Sequence, residues 1–197
     1  MNSYKKFIDE KIAIIAKEKE ILDIGGGKKF SKWLKKYKNL FLNSNYKTLD
    51  VDESTNPDIV ADIHNIPLEN ESVDAIICAS VLEHVENPFL AVKEMYRILK
   101  PGGKLFVYVP SIYPYHSKKG HYPDYWRFFD DTLMMMFKDF SQVEIMKKGG
   151  YFLALSFFVP YQNKIRNILN MVASFLDKTF KTEKRTTTCG YYLYAVK

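Results

Sequence analysis

The sequence is poor in the features that mark disulfide-rich, metal-clustered or membrane-spanning proteins. Two cysteines, Cys78 and Cys189, are too few for a disulfide framework or a cysteine-based metal cage. The longest apolar stretch, residues 151–159, is too short to span a bilayer and is followed by Pro160. Residues 1–19 are charged and amphipathic, unlike a signal peptide. We therefore expect a globular cytoplasmic protein with no metal in its functional site.

Positive charge is concentrated in the first part of the chain. Residues 1–40 contain eleven lysines against five acidic residues, and this excess accounts for the whole net charge of +6. Such a face can contact RNA, an anionic lipid or a phosphorylated substrate. The plainer interpretation is a solvated, lysine-rich surface.

Short apolar runs alternate with amphipathic segments. The segments that read as strands are 21–24, 46–51, 59–61, 73–79, 104–109, 143–147 and 191–196. Helical spacing predicts one helix within residues 1–19, one after the first strand, and others over 88–99, 130–137 and 162–180. This alternation predicts one Rossmann-like, doubly wound α/β domain, with a mostly parallel sheet and helices on both faces.

The most informative segment follows the first strand. Asp23 lies in the apolar run of that strand, and Gly25, Gly26 and Gly27 follow it. Glycines allow a positive φ and let a ligand approach the main chain closely. Asp50, at the tip of the next strand, can accept hydrogen bonds from a ribose diol. Together they predict a site for a nucleoside-containing cofactor at the carboxyl ends of the strands.

Five segments in chain order resemble the class I S-adenosylmethionine-dependent methyltransferases. They are residues 21–27, 49–52, 61–67, 72–74 with 80–85, and 97–103. The resemblance covers the chain from about residue 20 to residue 110 and reappears at 190–196. It implies S-adenosylmethionine (SAM) as cofactor, methyl transfer as the activity, and a seven-stranded sheet whose last strand is antiparallel.

The resemblance also implies a set of cofactor-binding residues at the strand ends. They are Asp23, Gly25, Gly26, Gly27, Asp50, Val51, Asp62, Ile63, Ser80 and His84. In this set, the glycine loop with Asp23 faces the methionine moiety, Asp50 the ribose, Asp62 with the Ile63 amide the adenine, and Ser80 the methionine side.

Several of these assignments leave a structural role open. Asp50 is also a candidate turn residue, Asp62 a capping residue, and His84 a hydrogen-bonded loop residue. The chain has Lys29 where the family often has a further glycine. Because the sulfonium of SAM is positive, we expect nearby lysines to point away or to pair with an acid.

Residues 111–129 follow the fifth strand and are rich in aromatic rings, so we expect them to overhang the cofactor's methyl group. Residues 121–128 resemble a segment of methyltransferases from bacterial and archaeal surface-glycan pathways. His116 and His121 are suited to act as a general base at neutral pH, and Arg127 can hold a carboxylate or phosphate. The alternative is an aromatic lid in which Asp124 and Arg127 form a structural ion pair.

The leading hypothesis is a SAM-dependent methyltransferase that acts on a small-molecule or glycan hydroxyl. An RNA methyltransferase is the second hypothesis, supported by the basic face but not by a recognisable RNA-binding module; a DNA partner is not expected. A non-catalytic SAM-binding partner protein is the third.

We expect a single domain, 1–197, and assign its residues 111–129 and 161–182 to the substrate side. The helix over 162–180 then either packs on the domain or contacts a membrane or a lipid-linked substrate.

Overall fold

One seven-stranded sheet organises the chain, for which the computed structural model describes residues 3–30, 32–159 and 162–197. Its strands are β1 (Glu20–Ile24), β2 (Asn45–Asp50), β3 (Ile59–Val60), β4 (Val73–Ala79), β5 (Leu99–Pro110), β6 (Gln142–Lys147) and β7 (Gly190–Val196). The order is β3-β2-β1-β4-β5-β7-β6. The first five strands are parallel, and β7 is antiparallel to both β5 and β6. The predicted fold class, with its reversed last strand, is confirmed.

Helices cover both faces of the sheet. The helices are α1 (Ser3–Ile15), a long 3-10 helix (Lys32–Phe41), α2 (Pro88–Ile98), α3 (Asp130–Met136), α4 (Tyr151–Ser156) and α5 (Gln162–Thr179). Helix α1 and the long 3-10 helix share one core with Ile77 and Phe106, whereas α2 and α3 share another with Ile76 and Val107. Because neighbouring residues of β4 and β5 point to opposite faces, these strands are buried on both sides.

The observed helices differ from the sequence predictions at three points. The sequence predicts Asp130 as the cap of the helix over 130–137, but Asp130 is the first helical residue of α3 and Phe129 takes the capping position. The helical spacing over 88–99 predicts that Phe89 faces inward, but α2 buries Ala91 and exposes Phe89. Helix α4 was not predicted, since six residues are too few to show a helical period. The sequence predicts Ser31 near the start of the second helix; Ser31 lies outside the described residues, as does Pro160.

Helix α5 packs on α4 rather than on the sheet. Their joint core includes Leu153, Ala154 and Ala173. The carboxylate of Asp177 accepts hydrogen bonds at 2.9–3.1 Å from the backbone amides of Gly150, Phe152 and Leu153, at the start of α4. The outer face of α5 is apolar and exposed; its members are Ile165, Ile168, Met171, Val172 and Phe175. Within the described part of the chain, no helix combines the length and the apolar content that crossing a membrane requires.

Candidate functional site

The loop after β1 has a backbone that only glycines accommodate. Gly25 and Gly27 have φ of +71° and +52°. A Cβ on Gly25 would lie 2.3 Å from Cγ2 of Val81, and one on Gly26 would lie 2.3 Å from Oδ2 of Asp23. The loop therefore packs closely against Val81 and Asp23 and exposes backbone without side chains. We call Gly25, Gly26 and Gly27 the glycine cradle, and its backbone suits the methionine part of SAM.

Asp23 lies beneath this loop. It is 4% exposed, and its carboxylate accepts a hydrogen bond from the hydroxyl of Tyr46. Burial, with the Asp23 charge as the next cause, raises the pKa of that hydroxyl. The predicted contact of Asp23 with the methionine ammonium stays a prediction.

Asp50 ends β2 beside the third glycine. A Cβ on Gly27 would lie 3.6 Å from Oδ2 of Asp50, while Oδ1 accepts a hydrogen bond from the amide of Asp52 at 3.0 Å. Val51 is 67% exposed next to it. One oxygen of Asp50 thus closes a turn, and the other faces the loop where the ribose is expected.

Lys29, the residue that departs from the family's pattern, is engaged by an acid. Its Nζ lies 3.0 Å from Oδ1 of Asp58. The carboxylate of Asp58 also accepts a hydrogen bond from the amide of Thr48 in β2. The expectation that a lysine here pairs with an acid is confirmed.

Asp62 closes the turn after β3. Its Oδ1 lies 2.9 Å from the amide of His64 and 2.7 Å from that residue's Nδ1. Nε2 of His64 accepts a hydrogen bond from the amide of Asn87 at 3.3 Å. Asp62 is exposed, whereas the next residue, Ile63, has a buried side chain. The predicted adenine contact of Asp62 and Ile63 therefore depends on the Asp62 carboxylate and the Ile63 backbone amide.

The loop after β4 contains an acid that the sequence analysis did not single out. Ser80 has φ of +58° and donates its amide to the carbonyl of Tyr108 at 3.0 Å. Glu83 follows and is 1% exposed, and burial raises its pKa to about 8. His84 has a pKa that burial lowers, and its Nδ1 lies 2.5 Å from the carbonyl oxygen of Pro123.

The aromatic segment after β5 crosses from the loop after β4 to the loop after β2. The amides of Tyr125 and Trp126 donate to the carbonyl of Glu83, at 2.8 and 3.2 Å. At its other side, Nδ1 of His121 lies 3.4 Å from Oδ2 of Asp52. The segment thus bridges the two loops that flank the glycine cradle.

Asp124 and Arg127 form the ion pair that the structural alternative predicted. Both guanidinium nitrogens Nη1 and Nη2 bind the carboxylate, at 2.6 and 2.7 Å, and the guanidinium lowers the pKa of Asp124 to about 2. Arg127 also donates to the carbonyls of Tyr113 and Pro114. His116 joins this network through its amide, which donates to Asp124 at 2.8 Å. Arg127 therefore organises the aromatic segment, and its predicted hold on a substrate anion stays a prediction.

A cavity of about 450 Å³ opens at the ends of β4 and β5. Its walls include Ala79 and Ser80, and its aromatic rings belong to Tyr4, Trp33, Tyr37, Tyr108 and Tyr192. Three lysines also line it: Lys5, Lys36 and Lys148.

Lys148 is the least expected residue of this cavity. Its Nζ lies 3.0 Å from the hydroxyl of Tyr108 and 4.4 Å from the centre of that ring. Burial lowers the pKa of Lys148, and the ion pairs found among the described residues do not include it. Sequence reasoning missed both residues, because Tyr108 fits a plain strand pattern and Lys148 is one lysine among many.

Part of the chain matches a known family model, and several curated proteins are similar to it. The family model described as Methyltransferase domain matches residues 22–107. An uncharacterised protein of Methanocaldococcus jannaschii is 33% identical over 116 residues, covering 55% of this chain and 51% of that protein. The chloroplastic 2-methyl-6-phytyl-1,4-hydroquinone methyltransferase of Arabidopsis thaliana is 28% identical over 95 residues, covering 47% and 25%. The chain thus spans about half the length, or less, of these curated relatives.

A solved structure supports the fold. A SAM-dependent methyltransferase from Archaeoglobus fulgidus superposes with a TM-score of 0.65 at 16% identity, over 98% of this chain and 93% of that one. Residues 22–107 thus match a methyltransferase domain, and the chain shares the fold of a SAM-dependent methyltransferase.

Proposed function

We propose that the protein transfers a methyl group from SAM to a hydroxyl of a small-molecule or glycan acceptor. The observation that carries this proposal is the glycine cradle, with Asp50 on one side and an aromatic cavity at the end of β4 on the other. Ligands of open α/β sheets bind at this edge, where the strand order reverses. When bound, SAM supplies an electrophilic methyl group on its sulfonium.

The chain's own residues would hold the cofactor along the carboxyl ends of β1, β2 and β4. The main chain of Gly25–Gly27 and Ser80 would face the methionine part. Asp50 would accept hydrogen bonds from the ribose, and Asp62 with the Ile63 amide would bind the adenine. This orientation matters because a displacement reaction gains much of its rate from holding the reacting atoms in line.

The cavity supports a small acceptor with an acidic group. A volume of about 450 Å³ falls within the range of small-molecule sites. Aromatic walls stack on sugars and planar rings, and Lys148 presents a cation with a lowered pKa beside Tyr108. A carboxylate or phosphate on the acceptor would supply the negative charge that this buried ammonium favours.

The two histidines proposed as bases have different surroundings. Nε2 of His116 lies 3.9 Å from the buried carboxylate of Glu83, whereas His121 contacts Asp52 at the far side of the aromatic segment. We therefore place His116 at the acceptor and assign His121 to closing residues 111–129 over the cofactor. Arg127 shapes that segment through Asp124.

The cavity favours this function over an RNA substrate, since two lysines of the basic N-terminal part, Lys5 and Lys36, lie at its wall beside the aromatic rings. The exposed apolar face of α5 supports a lipid-linked acceptor as the glycan form of the substrate. Residues 161–182 would then lie on the substrate side.

Titration calorimetry with SAM and with S-adenosylhomocysteine tests the cofactor site. We expect binding to the wild type and to Asp139→Ala, an exposed acid elsewhere, and a loss of at least about tenfold in Asp50→Ala. No detectable binding to the wild type would refute the proposal. SAM with a labelled methyl group, offered to sugars, sugar acids, phenols and RNA, then identifies the acceptor; binding without transfer to any of them would indicate the non-catalytic partner protein.

A further inference from the structure

Three metal-ligating side chains converge beneath the aromatic segment. Glu83 and His84 come from the short 3-10 helix after β4, and His116 comes from the segment after β5. Their ligating atoms all lie within 4.8 Å of one another. Oε1 of Glu83 is 3.8 Å from Nε2 of His84 and 3.9 Å from Nε2 of His116.

In both histidines, Nδ1 lies within hydrogen-bond distance of carbonyl or carboxylate oxygens. Nδ1 of His84 lies 2.5 Å from the carbonyl oxygen of Pro123. Nδ1 of His116 lies 3.2 Å from the carbonyl oxygen of Pro114 and 3.2 Å from Oδ2 of Asp124, nearer than Nη2 of Arg127 at 3.5 Å. Each Nδ1 thus has oxygen partners, which leaves Nε2, at 3.8 and 3.9 Å from Oε1 of Glu83, as the ligating atom of each ring. Metal sites commonly have such carbonyl or carboxylate partners behind their histidines.

Hydrogen bonding does not account for the centre of this cluster. Separations of 3.8 and 3.9 Å exceed a hydrogen bond. Oε2 of Glu83 is buried and has no hydrogen-bond partner among the residues that the structure describes. Buried polar atoms nearly always have a partner, so the unpartnered oxygen of Glu83 beside two imidazoles fits a cation bound between the three side chains.

The spacing suits a transition metal. Ligands at about 2.0–2.2 Å from a tetrahedral ion lie roughly 3.3–3.5 Å apart, so the three side chains need only a small inward movement. Two imidazoles and one carboxylate favour Zn²⁺, Mn²⁺ or Fe²⁺ over Mg²⁺ and Ca²⁺. His116 is partly exposed and leaves a path for entry.

We propose that Glu83, His84 and His116 bind one divalent transition-metal ion, contrary to the expectation from the sequence that the site holds no metal. Three protein ligands leave at least one coordination position open. On the proposed function, to which this last role is tied, an oxygen of the acceptor occupies that position. Metal binding itself does not depend on methyl transfer.

Calorimetry with Zn²⁺ on the chelator-treated full chain tests the site, and Co²⁺ absorption reports its coordination. We expect one ion per wild-type chain, and at least about a hundredfold weaker binding in Glu83→Gln and His116→Ala. His121→Ala, which removes a histidine from the same segment, should bind like the wild type.

Equal binding by the wild type, Glu83→Gln and His116→Ala, or no binding by the wild type, would overturn the site. Circular dichroism shows whether each variant is folded, and the more exposed His116→Ala decides the matter if Glu83→Gln does not fold. SAM affinity, measured on the same preparations, is expected to be retained in His116→Ala. Loss of the metal with SAM binding intact separates this proposal from the cofactor site.

Discussion

Nδ1 of His121 lies 3.4 Å from Oδ2 of Asp52, so this contact ties the aromatic segment 111–129 to the loop that follows β2. Both side chains are partly exposed. Exposed ion pairs contribute little, and we therefore expect His121→Ala to change the affinity for SAM and the turnover number by less than about fivefold. Calorimetry and steady-state kinetics measure the two effects. A turnover number lowered about a hundredfold with unchanged SAM affinity would instead make His121 the base.

Gly25 and Gly102 form a matched pair for testing the cradle. Both have a strongly positive φ, +71° and +75°, but a Cβ on Gly25 meets Val81 at 2.3 Å and one on Gly102 meets nothing within 4 Å. Gly102→Ala should cost about 1–2 kcal/mol of stability through backbone strain alone. Gly25→Ala should cost at least about 1 kcal/mol more.

The same pair separates strain from ligand binding. We expect Gly25→Ala to lower SAM affinity by about tenfold or more, and Gly102→Ala to leave it unchanged. Urea denaturation gives the stabilities and calorimetry gives the affinities. Equal SAM binding by the two variants would contradict the role of the loop after β1.

Lys148 makes the stability of the domain depend on pH in a predictable direction. Burial lowers its pKa from the usual 10.5, so the folded state binds fewer protons than the unfolded state between the lowered value and 10.5. Its contribution to the free energy of unfolding therefore rises with pH across that window. Lys148→Met should be more stable than the wild type at low and neutral pH, and this advantage should vanish as pH approaches 10.5.

Urea denaturation of both proteins across that pH range measures the difference, with Lys138→Met, an exposed lysine, as the control. A constant difference at all pH values would contradict the depressed pKa. If Lys148 also binds the acceptor's anion, Lys148→Met raises KM for that acceptor and leaves SAM affinity unchanged.

Asp177 is expected to hold α4 and α5 together. Its buried carboxylate accepts hydrogen bonds from the amides of Gly150, Phe152 and Leu153. Asp177→Ala leaves these amides without their acceptor and should cost about 2–4 kcal/mol, or release the helix pair. Thermal denaturation and limited proteolysis within 150–182 report the two outcomes. Asp139→Ala is the control, and a Tm equal to that control would argue against the anchor.

The fold was largely predictable because its signals are local. The apolar run of β4 was placed with the bounds that the structure shows, and the glycines after β1 follow from the backbone that the turn requires. The ion pair of Asp124 with Arg127 spans three residues and could also be anticipated.

Contacts between residues far apart in the chain could not be predicted from local sequence signals. Glu83 looks like an ordinary acid in an apolar stretch, and only the docking of residues 111–129 buries it beside His116. Lys148, just after β6, meets Tyr108 of β5 only because β7 pairs with both strands and holds them in one sheet. The outer face of α5 looked like a core stripe, since periodicity identifies an apolar face without showing what covers it.

The position of β7 between β5 and β6 also sets an order of assembly. Strands β1 to β5 can pair with one another as they are synthesised, but β6 is joined to the sheet through β7. Residues 142–147 must therefore wait for residues 190–196, and Lys148 reaches the cavity only after that late pairing. The cavity proposed for the acceptor is thus completed after the glycine loop, and a chain stalled before β7 would carry that loop beside an unfinished cavity.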